Sequence, residues 1–205
     1  MEIVNGKEFP WGYTGKNYQF YETKALRKIL EFVLVQGCDS LFEGAVGSGF
    51  FPTMLRGGGY KGKYLGSDFC KKFLNEARTN NPKEKFIKVD LLKKIPLEDD
   101  AFDISVVHDG LNYIYPYENT FKELKRITKR YVVITLCHIL REKQDIGYIF
   151  PQPKGHRWHG NHYSAKEWYA TLKKCGYKIV NDCIINDVIE LTGKKSQHQL
   201  FILQV

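Results

Sequence analysis

The feature that most constrains the fold of this chain is a regular alternation of short apolar segments with amphipathic ones. Apolar residues recur at helical spacing over residues 21–35, and glycine follows at position 37. Helix-like segments then alternate with strand-like ones, which cover residues 40–42, 63–68, 86–90, 102–107 and 131–136. Because parallel strands need a crossover connection, usually a helix, this order predicts an α/β fold with a mostly parallel sheet and helices on both faces.

The part of the chain after the fifth predicted strand breaks the alternation. Residues 139–163 contain several glycines and prolines and show no apolar period, so we expect a long loop that acts as a lid. A capping box that starts at Ser164 then predicts one more helix. Two final strands are expected at residues 177–185 and 199–205.

The composition fits a single globular domain over residues 1–205. With 43% hydrophobic, 26% charged and 14% aromatic residues, the chain is not an intrinsically disordered protein. It has no window of roughly 18 consecutive apolar residues and no amino-terminal secretion pattern. Its five cysteines form no CxxC pair, so we expect reduced thiols and a soluble, cytoplasmic protein. The net charge of +8 permits nucleic acid, an anionic small molecule or an acidic protein as partner.

Acidic residues end three successive predicted strands. Glu43 ends the first strand and precedes Gly47-Ser48-Gly49, Asp68 ends the second strand, and Asp90 ends the third. The carboxyl ends of parallel strands form the crevice where such folds bind ligands, and a carboxylate there can accept both hydroxyls of a ribose. The residues that follow the glycines, Phe50-Phe51-Pro52, exclude a P-loop and disfavour a dinucleotide fingerprint. The pattern therefore predicts a nucleoside ligand without phosphate.

These motifs resemble those of the class I S-adenosylmethionine-dependent methyltransferases of type 11, and the similarity runs over most of the chain. The first family motif is an acid followed by three alternating glycines, and residues 43–49 fit it with Ala45 in place of the first glycine. Residues 66–78 resemble the second motif and residues 86–103 the third region. The resemblance implies a Rossmann-like seven-stranded, mostly parallel sheet whose last strand is antiparallel between strands five and six. One departure is the missing Pro-Gly-Gly turn at residues 128–130.

The resemblance also implies which residues bind S-adenosylmethionine. Asp68 would hold the ribose, and Asp90 with the backbone amide of Leu91 would select adenine. The cofactor-binding residues carried over in this way are Glu43, Gly44, Ala45, Gly47, Gly49, Asp68, Phe69, Asp90, Leu91 and His108. In similar enzymes an aromatic amino-terminal segment covers the cofactor, which makes residues 1–20 a candidate cover segment. The alternative for this segment is packing against the edge of the sheet.

Two histidines at predicted strand ends, His108 and His138, are the candidate catalytic bases. An imidazole with its ordinary pKa near 6.5 can accept a proton at neutral pH. The alternative is that His108 packs against cofactor backbone and that His138 caps a helix. Three more histidines, at positions 156, 159 and 162, match no standard zinc site, so no metal is expected.

The methyl acceptor is expected to be a small molecule. Transfer from a sulfonium is an in-line displacement, which depends mostly on holding the two reacting atoms aligned. The segment after strand four lacks the Asp/Asn-Pro-Pro-Tyr of amino-methylating nucleic-acid enzymes and the cysteine of C5-pyrimidine enzymes. One alternative is an RNA or protein methyltransferase, suggested by the net charge and by the basic helix face of Lys122, Lys125, Arg126 and Lys129. Another is a non-catalytic S-adenosylmethionine-binding subunit. No membrane partner is expected.

Overall fold

The structure, a computed structural model, describes residues 23–151, 157–189 and 194–205 of the chain. The side chains at positions 148–159 and 187–196 are outside this description, as is the predicted cover segment, residues 1–20. The helices in the described part are α1 (Lys24–Gln36), α2 (Phe50–Gly57), α3 (Lys71–Asn80), α4 (Glu118–Ile127) and α5 (Ala165–Lys174). The strands there are β1 (Ser40–Gly44), β2 (Lys63–Asp68), β3 (Lys85–Lys88), β4 (Phe102–His108), β5 (Thr128–Leu136), β6 (Asp145–Pro151), β7 (Arg157–His162), β8 (Lys178–Ile189) and β9 (Lys194–Gln204).

Seven of these strands form one sheet in the order β3-β2-β1-β4-β5-β9-β8. The first five strands pair in parallel, whereas β9 is antiparallel to both β5 and β8. The last strand, β9, thus lies between β5 and β8. This confirms the predicted Rossmann-like α/β fold, including the position of its antiparallel strand.

The strand sequences bury side chains on both faces of the sheet. Neighbouring residues alternate between two apolar layers: Leu41 packs in the layer of α1, α2 and α3, and Phe42 packs in the layer of α4 and α5. Val106 and Val107 on β4 divide in the same way. Because both faces are covered, β1 and β4 bury most of their side chains, polar ones included.

Local sequence signals set three of the helix ends. The side chain of Thr23 accepts a hydrogen bond from the Leu26 amide at 3.1 Å and caps the amino terminus of α1. Gly37 ends this helix in a left-handed conformation with φ 58°. Ser164 caps α5 by accepting from the Glu167 amide at 3.4 Å, which is the serine half of the predicted capping box.

The prediction of an irregular loop over residues 139–163 was wrong for most of that segment. Strands β6 and β7 pair there as a two-stranded antiparallel sheet of their own. Gly147, which has φ 73°, lies at a shift of register in β6, and its amide donates to Oδ1 of Asn161 at 2.9 Å. This irregularity and the glycines in the segment hide the two-residue period from sequence analysis. The role of the segment as a lid stays a prediction.

The final strands also exceed their predicted bounds, since β8 begins at Lys178 and runs to Ile189 and β9 begins at Lys194. All five cysteines are free thiols. Among the described helices, none combines the length and the apolar character that crossing a bilayer requires.

Candidate functional site

The carboxyl ends of the parallel strands carry the predicted glycine loop. After β1 ends at Gly44, the Val46 amide donates to the Ser67 carbonyl at 2.9 Å, which ties the loop to the neighbouring strand. Two glycines in the loop have positive φ, 57° at Gly47 and 82° at Gly49. A Cβ on Gly47 would meet nothing within 4 Å, whereas one on Gly49 would lie 2.7 Å from Nδ2 of Asn81. Gly47 thus faces open space, and Gly49 is packed against the end of α3.

Ala45 occupies the position where the family motif has its first glycine. It adopts the left-handed conformation, with φ 56°, that a glycine reaches without cost. A Cβ on Gly110 would lie 2.4 Å from the Cβ of Ala45. The alanine methyl therefore fills the space that a side chain at position 110 would need, and the two positions are coupled.

Asp68 closes the glycine loop from the end of β2. One carboxylate oxygen accepts from the Gly47 amide at 3.0 Å, and the other accepts from the Cys70 amide at 2.9 Å. Burial raises the pKa of this carboxyl, and the amide hydrogen bonds oppose that shift. A carboxylate has about four lone-pair sites, so these backbone amides leave it capacity for further donors. The next side chain, Phe69, is 65% exposed beside it.

Glu43 differs from the other two acids. Its side chain is buried and accepts a short hydrogen bond from the hydroxyl of Tyr64. Burial raises its pKa to about 8, and the nearby Asp68 adds to the shift. Glu43 is therefore mostly protonated at neutral pH and presents little negative charge to a ligand.

Asp90 and Leu91 follow β3 at the same edge of the sheet. Oδ1 of Asp90 accepts from the Leu92 amide at 3.1 Å, and 42% of its side chain is exposed. The side chain of Leu91 is buried against Gly44, and its carbonyl accepts from Oγ1 of Thr120 at 2.8 Å. The strand ends thus bring the three acids to one edge, but the carboxyl groups have separate partners.

A second polar cluster lies at the ends of β4 and β5, with His108 at its centre. Nδ1 of His108 lies 2.6 Å from Oγ1 of Thr135, and this hydroxyl donates to Oδ1 of Asp109 at 2.8 Å. Oδ2 of Asp109 lies 3.1 Å from Nε2 of His198 on β9. The rings of His108 and His198 are stacked with their centroids 6.1 Å apart. Four side chains thus form one connected network across β4, β5 and β9, which we call the His108 network: His108, Asp109, Thr135 and His198.

The environment of the His108 network sets the charge states of Asp109 and His108. Burial lowers the pKa of His108, although Asp109 partly opposes this shift. Burial by itself raises the pKa of Asp109, but the two histidines and its hydrogen bonds hold that pKa well below its usual range. At neutral pH the network therefore contains a neutral imidazole beside an ionised carboxylate.

His138, the other predicted base, lies just beyond β5. Burial, with help from His162, lowers its pKa to about 4. The ring centroids of His138 and His162 are 5.4 Å apart, and the His138 carbonyl accepts from the Asn112 side chain at 3.3 Å. In place of the helix cap considered from the sequence, His138 precedes the β6–β7 hairpin.

Sequence analysis missed His198, Thr135 and Asp109 as partners of His108. Asp109 and Thr135 lie at or next to the ends of predicted strands. The pairing of β9 with β5, which brings His198 to them, cannot be predicted from a single sequence. The register places Leu200 opposite Thr135. This antiparallel pairing brings His198 to the carboxyl end of the parallel strands.

The described residues contain no group of three His, Cys, Asp or Glu side chains able to hold a metal ion. His156 and the side chain of His159 lie outside the described part of the chain.

Residues 42–135 match the family model described as a methyltransferase domain. Over this segment, which is less than half of its length, the chain is similar to the class I S-adenosylmethionine-dependent methyltransferases. The matched segment contains the glycine loop, Asp68, Asp90 and His108. No curated protein sequence matches the chain.

Solved structures share the fold of this chain at low sequence identity. An S-adenosylmethionine-dependent methyltransferase from Methanosarcina mazei is 17% identical with a TM-score of 0.66, over 80% of this chain and 91% of that one. A Pyrococcus horikoshii protein is 16% identical with a TM-score of 0.68, over 97% of this chain and 95% of that one. Magnesium protoporphyrin IX methyltransferase from Synechocystis, with bound S-adenosylmethionine, is 14% identical with a TM-score of 0.60, over 87% of this chain and 78% of that one.

S-adenosylmethionine is the ligand bound in the Synechocystis structure. The glycine loop fits such a ligand, because the space over Gly47 is open and the neighbouring Asp68 keeps acceptor capacity for ribose hydroxyls. The exposed ring of Phe69 offers a face for stacking an adenine. This edge of the sheet thus combines the glycine loop and Asp68 with a neutral imidazole.

Proposed function

We propose that this methyltransferase transfers the methyl group of S-adenosylmethionine to a small-molecule acceptor. The observation that carries the proposal is the His108 network beside the glycine loop. It places a neutral imidazole at the end of β4, where the close approach of Gly110 to Ala45 joins the two regions.

The residues divide into two groups in this proposal. The cofactor is held by the backbone of Gly44, Ala45, Gly47 and Gly49, by the side chains of Asp68, Phe69 and Asp90, by Leu91 and by His108. Glu43, also predicted from the sequence to bind the cofactor, is buried and accepts from the Tyr64 hydroxyl, so its proposed role is to link β1 to β2. When bound, S-adenosylmethionine supplies an electrophilic methyl group. His108 and His138 are the proposed bases that accept a proton from the acceptor.

The basic face of α4 gives little support for the alternative of a nucleic-acid substrate. Its cations already have partners: Lys122 pairs with Glu118 at 2.6 Å, and Arg126 pairs with Glu123 and Asp99, each at 2.7 Å. Nζ of Lys125 donates to the Gly176 carbonyl at 2.7 Å. A small acceptor also agrees with the sequence His108-Asp109-Gly110-Leu111 at the place where nucleic-acid enzymes carry their proline-rich motif.

Cofactor binding tests the site. Asp68→Ala and Asp90→Ala should each weaken S-adenosylmethionine binding, because each removes charge-assisted hydrogen bonds of about 1.5–3 kcal/mol. Isothermal titration calorimetry measures this directly. Glu98→Ala removes an exposed carboxylate from the same region and serves as the control. Wild-type affinity in both aspartate variants would exclude the proposed site.

Transfer of a labelled methyl group tests the acceptor class. The pure protein is incubated with labelled S-adenosylmethionine and, separately, with a metabolite extract, total RNA and a protein extract. We expect the label in the metabolite fraction. Label in RNA, together with RNA binding that falls steeply with salt, would instead establish the nucleic-acid alternative. The predicted cytoplasmic location, which the free thiols favour, stays a prediction.

A further inference from the structure

The hydrogen bonds of Thr135 determine which nitrogen of His108 carries the proton. A hydroxyl has one hydrogen to donate and two lone pairs to accept with. Asp109 is ionised, so the contact of 2.8 Å between its Oδ1 and Oγ1 of Thr135 requires the hydroxyl to donate there. The hydroxyl therefore accepts at its other contacts, from the Asp109 amide at 3.1 Å and from Nδ1 of His108 at 2.6 Å. Nδ1 of His108 must carry the hydrogen.

This assignment leaves Nε2 of His108 as the basic atom of the neutral ring. No hydrogen bond to Nε2 is found in the part of the chain that the structure describes, and 23% of the side chain is exposed. Nε2 lies 3.7 Å from Oδ2 of Asp109, which is too long for a hydrogen bond but within the range of an ion pair. A proton taken up at Nε2 would thus be stabilised by a carboxylate that is already ionised.

His198 holds that carboxylate from the other side. Because an ionised carboxylate only accepts, Nε2 of His198 must donate in its 3.1 Å contact with Oδ2 of Asp109. His198 is itself buried, in the strand that lies between β5 and β8. Asp109 is therefore fixed by one donor on each oxygen, and it cannot turn away from the His108 ring without breaking both contacts.

We propose that Thr135, Asp109 and His198 are positioning residues that hold His108 with Nε2 as a general base, and that the acceptor group is a hydroxyl. This inference rests on the proposed function. In the step, the oxygen–methyl bond forms as the sulfur–methyl bond breaks and leaves its electron pair on sulfur. The hydroxyl proton moves to Nε2 of His108, and the resulting imidazolium faces Asp109.

The strength of the base favours a hydroxyl over a carboxylate or an amine as the acceptor. A carboxylate is already ionised at neutral pH and needs no base. An ammonium group with an ordinary pKa near 10 is too weak an acid to give its proton to an imidazole of lowered pKa. A hydroxyl keeps a lone pair for attack, and its proton becomes acidic as the new bond forms, so a moderate base is sufficient in the transition state.

The tautomer of His108 can be measured without knowing the acceptor. In protein labelled with ¹⁵N-histidine, long-range ¹H–¹⁵N spectra distinguish protonated from unprotonated ring nitrogens, and the signals lost in His108→Asn identify this ring. We expect a protonated Nδ1 and an unprotonated Nε2 in the wild-type protein. A wild-type ring protonated at Nε2 would overturn the proposal, whatever the variants do.

Two substitutions of Thr135 separate its hydroxyl from its packing. Thr135→Val removes the acceptor of the Nδ1 hydrogen and should shift the His108 population toward the Nε2-protonated form. Thr135→Ser keeps the hydroxyl and should retain the wild-type tautomer. Thr128→Val is the matched control, because Thr128 is a buried threonine in the same strand that bonds to Ser105 and Leu124. The proposal predicts no change of tautomer in this control. An unchanged tautomer in folded Thr135→Val would contradict it.

The transfer reaction supplies the second readout. The labelled product should be a methyl ether, which survives mild base, and not a base-labile methyl ester or an N-methyl compound. The rate should fall at acidic pH with the protonation of His108, and Thr135→Val should lower kcat about tenfold while the Kd for S-adenosylmethionine stays unchanged.

The titratable groups that face the His108 network and contribute to this pH profile are Asp109, Tyr113, Cys137, His138 and His198. A labelled ester or amine would exclude the hydroxyl class, whereas absent cofactor binding would count against the proposed function and leave the tautomer result standing.

Discussion

At the scale of single residues, the glycine loop shows how an alanine replaces the first glycine of the family motif. Ala45 accepts a left-handed backbone that costs a non-glycine residue roughly 1–2 kcal/mol. Its methyl group occupies the space beside Gly110, whose own Cβ would lie 2.4 Å away. The missing glycine at position 45 is thus matched by a glycine at position 110.

This coupling predicts a non-additive pair of substitutions. Gly110→Ala should lower the free energy of unfolding by about 1–3 kcal/mol through overpacking, and the double variant with Ala45→Gly should regain much of that loss. Urea denaturation of the four proteins of the cycle measures the coupling. Gly57→Ala is the control, because a Cβ at position 57 would meet nothing within 4 Å. Additive effects would show that positions 45 and 110 do not share this space.

The buried Glu43 predicts a pH dependence of stability. Its pKa of about 8 in the folded protein exceeds its usual value of 4.5, so the folded state binds the proton more tightly than the unfolded state. Its contribution to the free energy of unfolding is therefore full below about pH 4.5 and is lost as the pH rises to about 8. Glu43→Gln should lack this decline, which urea denaturation at pH 5 and at pH 8.5 compares. Parallel pH profiles of the two proteins would refute a protonated Glu43.

At the scale of elements, the end of α3 anchors the glycine loop. Nδ2 of Asn81 donates to the Gly49 carbonyl at 2.7 Å, and its Oδ1 accepts from Thr53 at 2.8 Å. Nδ2 of Asn80 donates to the Ser48 carbonyl at 3.0 Å. Two consecutive carbonyls of the loop are therefore held by one helix end, which orients the loop amides away from α3.

Removal of this anchor should loosen the cofactor loop. Asn81→Ala leaves the Gly49 carbonyl and the Thr53 hydroxyl without these partners, at a cost of about 1–3 kcal/mol for buried groups. We expect the Kd for S-adenosylmethionine to rise about five- to tenfold in calorimetry. Asn75→Ala on the exposed face of the same helix is the control. Equal affinities of the two variants would mean that the loop keeps its conformation without Asn81.

At the scale of the whole molecule, sequence reasoning was strongest where contacts are local. The loop motif, Asp68 and the alternation of strands and helices follow from spacing within short segments, and the fold they predicted is confirmed. The hairpin of β6 and β7 was missed because its strands are irregular and glycine-containing. The partners of His108 were missed because Thr135 and His198 come together only through tertiary pairing.

Because β9 inserts beside β5, the residues proposed to bind the cofactor and those proposed to orient the base come from different parts of the chain. The side chains that hydrogen-bond to the glycine loop, those of Asp68, Asn80 and Asn81, lie in the first half of the chain. The carboxylate beside the proposed base is instead held by His198, 89 positions after Asp109. A substitution in β9 can therefore change the pKa of His108 through Asp109 and leave the glycine loop unchanged. Among proteins built on this plan, diversity in acceptor chemistry is then expected to accumulate near the carboxyl terminus while the amino-terminal half keeps its pattern.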